Sequence, residues 1–269
     1  MKADFHTHTD FSSDGEYSPE EIIEAAIEKG LKTICITDHH DIDFPKYISA
    51  TGFQLDFDAY FEKLKKLQEF YKEKIDIRIG VELGLQPHLS EECKAVVEKY
   101  PFDFVIGSIH IIDGKDPYYK EFFENITDEE GYRRTFEVTL ETIQNVSSYD
   151  VLGHLDYVVR YGIHKDRDYS YAKYADLIDE ILRLLIANGK GLEVNTGGWK
   201  NGLAFPNPHS DVVKRYKELG GEIITVGSDG HRPIHIGYDF HRIGAYLREC
   251  GFKFYTEFRK RQPVFMELP

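Results

Sequence analysis

Lys2-Ala3-Asp4-Phe5-His6-Thr7-His8-Thr9 is a β-rich run that carries two imidazoles. Side chains alternate along a strand, so His6 and His8 point to the same side, a natural way to grip one metal ion with two ligands. Six runs of similar texture follow, at residues 33–37, 75–83, 102–111, 151–158, 191–195 and 222–226. Helical patterns lie between them. Ser18-Pro19-Glu20-Glu21 joins an N-cap serine to a proline at the first helical position and a capping-box glutamate. Thr127-Asp128-Glu129-Glu130 repeats the capping-box logic before residues 132–146, and residues 171–187 set Leu177, Ile178, Ile181, Leu182 and Leu185 on one helical face. Seven strand-then-helix units imply a parallel sheet, because parallel strands need crossover helices. A barrel and an open doubly wound sheet both satisfy that pattern, and the position of the chemistry separates them.

Six of the twelve histidines lie at or just beyond the ends of these runs. His39 follows the second strand in Thr37-Asp38-His39-His40-Asp41, Glu82 comes late in the third, and His110 ends the fourth. His154 falls within the fifth, in Gly153-His154-Leu155-Asp156, and the seventh delivers Gly227-Ser228-Asp229-Gly230-His231. Asp14 joins them from the loop after the first strand. Any one of these residues alone has an ordinary packing or surface explanation. Their coincidence at strand ends does not, because buried imidazoles and carboxylates cost free energy unless paired or bound to metal. Reactive groups gathered at the C-terminal ends of many strands are the mark of a barrel. His88, His164, His209, His235 and His241 sit in loops or near helix starts and read as solvated or capping residues, while His40 adjoins a candidate ligand.

Composition narrows the class of partner. The 269 residues are 41% apolar and 14% aromatic, enough for a substantial core, and a single domain over residues 1–269 is expected. The net charge of −14, with no lysine- or arginine-rich run, argues against a broad grip on nucleic acid. Cys35, Cys93 and Cys250 are too few and too scattered for a disulfide framework, which favours a reducing compartment. No apolar stretch approaches the ~20 residues of a membrane span, and a cytoplasmic location is expected.

At these residues the chain resembles the PHP (polymerase and histidinol phosphatase) superfamily. The matching motifs are H-x-H-T with S-x-D-G at residues 6–15, T-D-H at 37–39, G-x-E at 80–82, S-x-H at 108–110, G-H-L-D at 153–156 and G-S-D-x-H at 227–231. The resemblance implies a distorted (β/α)7 barrel, α/β in class, with two to three divalent metals at the C-terminal ends of the strands. One metal would take His6, His8, Glu82 and Asp229. Glu82 would bridge to a second, completed by His110 and His154, and a third would take Asp14, His39 and His231. A mixed imidazole and carboxylate shell suits Zn, Mn or Fe alike. Two such cations, ~3.5–4 Å apart, lower the pKa of a shared water towards neutrality.

Two further details look like the histidinol-phosphate phosphatase branch. Arg160 follows Gly153-His154-Leu155-Asp156, where a guanidinium would clamp phosphate oxygens. Asn195-Thr196-Gly197-Gly198-Trp199-Lys200-Asn201-Gly202 ends the sixth strand, with Lys200 where the branch carries arginine, so charge is kept and the bidentate fork is lost. The resemblance implies hydrolysis of L-histidinol phosphate, a small-molecule phosphate ester, with Arg160, Lys200 and His40 as substrate contacts. His231, Asp229 and His40 all remain open as the proton donor to the leaving group. Two alternatives share the ligand set: a PHP phosphoesterase for nucleotide or sugar phosphates or a phosphodiester, and a non-catalytic, polymerase-associated metal module.

Overall fold

The computed structural model describes residues 1–48 and 52–269. Strand β1 (Ala3–Thr7) leads through helix α1 (Pro19–Glu28) to β2 (Thr33–Ile36) and its continuation β3 (His39–Asp41). Helix α2 (Phe57–Tyr71), β4 (Asp76–Gly84), α3 (Ser90–Lys99), β5 (Phe104–Ser108), α4 (Asp128–Asn145) and β6 (Val151–Leu152) follow. The chain then forms α5 (Ala175–Ala187), β7 (Gly191–Asn195), the short α6 (Gly197–Lys200), α7 (Ser210–Glu218), β8 (Ile224–Gly227), α8 (Phe240–Glu249) and a hairpin of β9 (Phe254–Arg259) and β10 (Gln262–Glu267).

The helix starts follow their local chemistry. Ser18 Oγ accepts from Glu21 N while the Glu21 carboxylate accepts from Ser18 N, and Thr127 and Glu130 do the same for α4. Helix α5 buries Ile178, Ile181, Leu182 and Leu185, four of the five residues in the stripe expected from its spacing, and leaves Leu177 half-buried at its edge. His209 caps α7, its side chain accepting from Asp211 N.

The strands run parallel in the order β1-β2-β4-β5-β6-β7-β8, with β3 pairing the upper half of β4 beyond β2. Counting β2 and β3 as one stave gives seven. The ring closes at its C-terminal rim: Asp229 N donates to His6 O (2.9 Å) and His8 N to Gly230 O (3.0 Å). This is the expected seven-stave barrel, distorted where β1 shifts register between Asp4 and Thr7. Such a bulge re-aims side chains beside a site. Below it, Phe5 meets Phe104 edge to face at 5.3 Å, and Phe104 meets Phe258 of the hairpin at 4.9 Å. The hairpin therefore closes the N-terminal end of the barrel, and the C-terminal mouth is left for chemistry.

The run at 151–158 departs from expectation, since only Val151–Leu152 is strand. Gly153 lies so close to β5 that a Cβ there would fall 2.5 Å from Ser108 Oγ. The next amide, His154 N, donates to the Glu193 carboxylate (2.8 Å) in place of a strand neighbour, and a 3-10 turn at Tyr157–Arg160 follows. That turn carries Arg160 back under the mouth.

Candidate metal centre

Glu82 stands at the middle of the mouth, wholly buried near the end of β4. Its Oε2 lies 3.0 Å from His39 Nδ1, 3.1 Å from His6 Nε2 and 3.4 Å from His8 Nε2. Its Oε1 faces a different pair, His154 Nε2 at 3.0 Å and His110 Nε2 at 3.3 Å. On the outer side, Asp14 Oδ2 lies 3.1 Å from His231 Nε2 and 3.7 Å from His39 Nε2, and Asp229 Oδ1 lies 3.6 Å from His231 Nδ1 and 3.7 Å from His8 Nε2. The structure thus brings His6, His8, Asp14, His39, Glu82, His110, His154, Asp229 and His231 into one continuous cluster.

Four atoms at its heart, His6 Nε2, His8 Nε2, His39 Nδ1 and Glu82 Oε2, are buried and make no hydrogen bond. Leaving such groups unsatisfied costs roughly 1–3 kcal/mol each, so their convergence needs a ligand. Three or more donor atoms lie within 4.8 Å of one another in His6/His8/Asp229, in His6/Glu82/His154, in His8/His39/His231 and in His39/Asp41/His110. Neutral nitrogens and carboxylate oxygens at such spacing fit divalent cations.

Electrostatics divide the imidazoles: burial lowers His6, His39 and His110, but neighbouring carboxylates outweigh it and raise all three, so a metal would displace their protons. Burial and the neighbouring rings of His231 and His39 hold His8 well below the usual imidazole range, leaving it neutral as a metal ligand must be. Burial opposes ionisation of Glu82, yet the imidazoles of His6, His39 and His110 hold its carboxyl well below the usual range. Burial likewise opposes the charge on Asp229, which Lys200 and Arg160 keep ionised.

Supporting groups orient these side chains. Glu193 Oε1 lies 2.6 Å from His6 Nδ1, and Asp41 Oδ1 lies 2.7 Å from His110 Nδ1, so a carboxylate fixes each ring from behind. Gly227 makes room for the first pair: a Cβ there would collide with His6 Cβ and fall 2.5 Å from Glu193 Oε1. Asp229 adopts a left-handed backbone (φ 54°), sparsely populated outside glycine, and is held there by the barrel's closing bonds. Neither Glu193 nor Asp41 was among the expected site residues. The signal for Glu193 was available, since an acid two residues before Asn195 interrupts an apolar strand.

Arg160 is buried and donates through Nε to Asn207 Oδ1 (2.7 Å), through one terminal nitrogen to Asp229 Oδ2 (2.8 Å) and through the other to Asn195 Oδ1 (3.0 Å). A guanidinium has five N–H donors, so donors remain for the cavity that Arg160 lines. Lys200 lines the same cavity and donates to the carbonyls of Asp229 and Ser228, tying down the strand-end loop that presents Asp229. His40 is placed otherwise. Its Nδ1 accepts from Leu55 N (3.1 Å) and its ring packs on Phe57, because alternation along β3 turns it away from the side that His39 and Asp41 face. His40, expected as a substrate contact, is therefore not among the residues that line the cavity. His235, read from sequence as solvated or capping, instead lines the cavity.

A model of the PHP domain matches residues 4–197. The chain is 35% identical over 257 residues to the histidinol-phosphatase of Lactococcus lactis, covering 93% of this chain and 92% of that protein. A relative from Clostridium acetobutylicum is 33% identical over 267 residues, 99% of this chain and 97% of its own. The crystal structure of the Lactococcus lactis histidinol phosphate phosphatase with zinc, L-histidinol and phosphate is similar at a TM-score of 0.88, with 34% identity and 98% of each chain covered. Sequence likeness and the barrel extend along nearly the whole length, and the chain belongs to the PHP domain family, in its histidinol-phosphatase branch.

Proposed function

We propose that this protein hydrolyses L-histidinol phosphate to L-histidinol and phosphate. The observation that carries the reading is the joining of two features on the wall of one cavity of about 720 Å³: Asp14, His39, His110, His154, Asp229 and His231, the exposed side of the ligand cluster whose unsatisfied atoms converge on buried Glu82, and the buried Arg160 beside them. The likeness to the Lactococcus lactis enzyme, whose structure holds zinc, L-histidinol and phosphate, supports the choice of substrate.

His6, His8, Glu82 and Asp229 would hold one cation, Glu82 with His110 and His154 a second, and Asp14, His39 and His231 a third. The two oxygens of Glu82, turned towards different imidazole groups, support its place as the shared ligand. Zinc, manganese or iron would satisfy this donor set. Bound divalent ions supply a nucleophile near neutral pH and offset charge on the phosphoryl oxygens. The chain's own groups do the rest. Arg160, locked by Asn195, Asn207 and Asp229, offers its remaining donors at a fixed position, so little reorganisation accompanies transfer of the phosphoryl group. Lys200 adds positive charge at the same wall while holding the Asp229 carbonyl. Hydrolysis forms a P–O bond to the oxygen of water as the ester P–O bond breaks, and the histidinol oxygen takes up a proton and leaves as an alcohol. Three free, buried cysteines favour a reducing cytoplasm as its location. Among the described residues, no helix is long and apolar enough to cross a membrane.

Steady-state kinetics on metal-assayed protein test the reading, with L-histidinol phosphate, its methyl diester and a panel of nucleotide and sugar phosphates. The monoester of L-histidinol should give the highest kcat/KM. A better nucleotide, sugar or diester substrate would replace this function with another phosphoesterase activity.

A further inference from the structure

Asp156 ends the Gly153-His154-Leu155-Asp156 stretch that supplies the candidate ligand His154, and the 3-10 turn that carries Arg160 begins directly after it. Its side chain is wholly buried, and among the described residues no lysine or arginine pairs with it. Both oxygens are nevertheless occupied by donors outside the metal cluster: Oδ1 accepts from Asn207 Nδ2 (2.7 Å) and Oδ2 from His209 N (2.9 Å). A buried charge costs free energy that packing alone does not require, so its function lies in what these bonds hold.

Asn207, on the loop between α6 and α7, is the next link. It too is wholly buried, it is flanked by Pro206 and Pro208, and its backbone exchanges both hydrogen bonds with that of Asn195 (2.7 and 2.8 Å). A primary amide has one donor end and one acceptor end. Asp156 takes the Nδ2 end, which turns Oδ1 towards Arg160, where it accepts from Nε at 2.7 Å. Two carboxylates therefore act on one guanidinium. Asp229 Oδ2 holds a terminal nitrogen directly (2.8 Å), and Asp156 acts through one intervening amide. Asp229 also belongs to the candidate ligand set, whereas the Asp156–Asn207 link is independent of the ions. Hydrogen bonds in such a buried chain polarise one another, which strengthens the hold on Nε.

We propose that Asp156 is a positioning residue for phosphoryl transfer: by fixing the sense of the Asn207 amide, it holds Arg160 where its free donors meet the phosphoryl group. This deepens the functional reading above and rests on its assignment of Arg160 as the phosphoryl contact. The chain has a polarity, and the polarity can be reversed. In Asp156→Asn, an amide with one acceptor end must serve two donors, so either Asn207 Nδ2 or His209 N is left facing an NH2. Turning Asn207 over only moves the conflict to Arg160 Nε. In Asp156→Asn/Asn207→Asp, the amide at 156 accepts from His209 N and donates to the carboxylate at 207. That carboxylate accepts from Arg160 Nε, and every group has a partner again.

The test measures kcat/KM for L-histidinol phosphate and, by isothermal titration, the affinity for inorganic phosphate on metal-loaded protein. The variants are Asp156→Asn, Asp156→Asn/Asn207→Asp, Arg160→Ala, and Asp156→Asn combined with Arg160→Ala. Asp156→Asn should lower kcat/KM and phosphate affinity together by about 10-fold at unchanged metal content. The reversed pair should recover both to within about three-fold of wild type, and Asp156→Asn should cost less than about two-fold once Arg160 is already alanine. Asn207→Ala, which breaks the link and leaves the Asp156 carboxylate in place, should show the same loss and the same dependence on Arg160, and it decides the matter where Asp156→Asn does not fold. An equal loss with and without Arg160 would overturn the assignment, because Asp156 would then act through the fold or the metals. Unchanged phosphate affinity in Asp156→Asn, or a reversed pair no better than the single variant, would overturn it as well. If Arg160→Ala itself binds phosphate and turns over like wild type, the functional reading of Arg160 fails and Asp156 with it. A wild type that prefers another ester changes the substrate only, and phosphate affinity then judges Asp156 by itself.

Discussion

Glu82 and Glu193 carry the same functional group and do different work. Glu82 turns each oxygen towards a separate set of imidazoles, whereas Glu193 touches no candidate ion position and instead fixes His6 Nδ1 and the His154 amide. Glu82→Gln removes a charge shared by two sites and puts an amide NH2 among donors, so metal content should fall at more than one position and activity with it. Glu193→Gln leaves every ligand in place but frees the His6 ring, which should weaken metal affinity by about 10- to 100-fold. Elemental analysis and competitive zinc titration of both variants check this; full metal content in Glu82→Gln would refute the shared-ligand assignment. The metal-free cluster should also be pH-sensitive in a defined direction. Burial lowers His39, but Glu82 and Asp14 outweigh it and raise the imidazole to about 9. With the folded value above the unfolded 6.5, the stabilisation is fully present below about pH 6.5 and is lost as pH rises through about 9. Chelated protein should therefore lose Tm over that window. Zinc added near pH 8 must displace the proton, so weakly buffered solution should acidify on zinc addition. Zinc binding without proton release would contradict this ionisation state.

Elements were legible from sequence where periodicity or capping chemistry is local. The Ser18 and Thr127 capping boxes, the α5 stripe and the H-x-H strand all depend on neighbours within a few residues, and all four are present, although β1 ends at Thr7, one residue before His8. Strand ends were harder to read, because they are decided by what the chain meets. Residues 151–158 look apolar enough for a long strand, yet the Glu193 carboxylate takes the His154 amide and ends β6 after two residues. The bulge in β1 and the interruption between β2 and β3 are equally non-local. At the latter, Asp38 accepts from Thr9 N and Oγ1 and from Ser12 Oγ, which pins the first loop to the second stave. The same limit explains the site. Eight of the nine candidate ligands fall at or just beyond strand ends, where position alone marks them, but Asp14 and the cavity-lining Asp116 sit in loops with no period and His235 ends a 3-10 turn. Their relation to the cavity exists only after folding. His40 shows the converse, a residue adjacent in sequence to a ligand and turned away by the two-residue alternation of β3.

At the scale of the molecule, the two ends of the barrel divide function from support. The mouth gathers buried charge and exposed donors, and the opposite end is closed by the β9–β10 hairpin through polar anchors at the starts of several staves. Glu257 accepts from Thr33 Oγ1 (3.1 Å), Thr256 Oγ1 accepts from Ile224 N (3.2 Å), Asp103 Oδ1 accepts from Lys260 N (3.0 Å), and Arg261 donates to Asp150 Oδ1 (2.8 Å). Asp150 is the most consequential of these partners. It is 8% exposed, and its Oδ2 also accepts from Val105 N (2.9 Å), which joins the hairpin to β5 and β6 together. Arg261→Ala leaves that carboxylate buried with its guanidinium removed, a loss of about 1–3 kcal/mol. For a chain of this size each kcal/mol lowers Tm by roughly 2–4 °C, so a fall of several degrees is expected. The mouth lies at the other end of the staves, with the Phe5–Phe104–Phe258 stack between, and kcat at a temperature well below the transition should not change. Thermal melts and kinetics on metal-loaded Arg261→Ala separate these outcomes: loss of turnover at unchanged Tm would mean that the closed end communicates with the mouth, and the division of labour drawn here would be wrong.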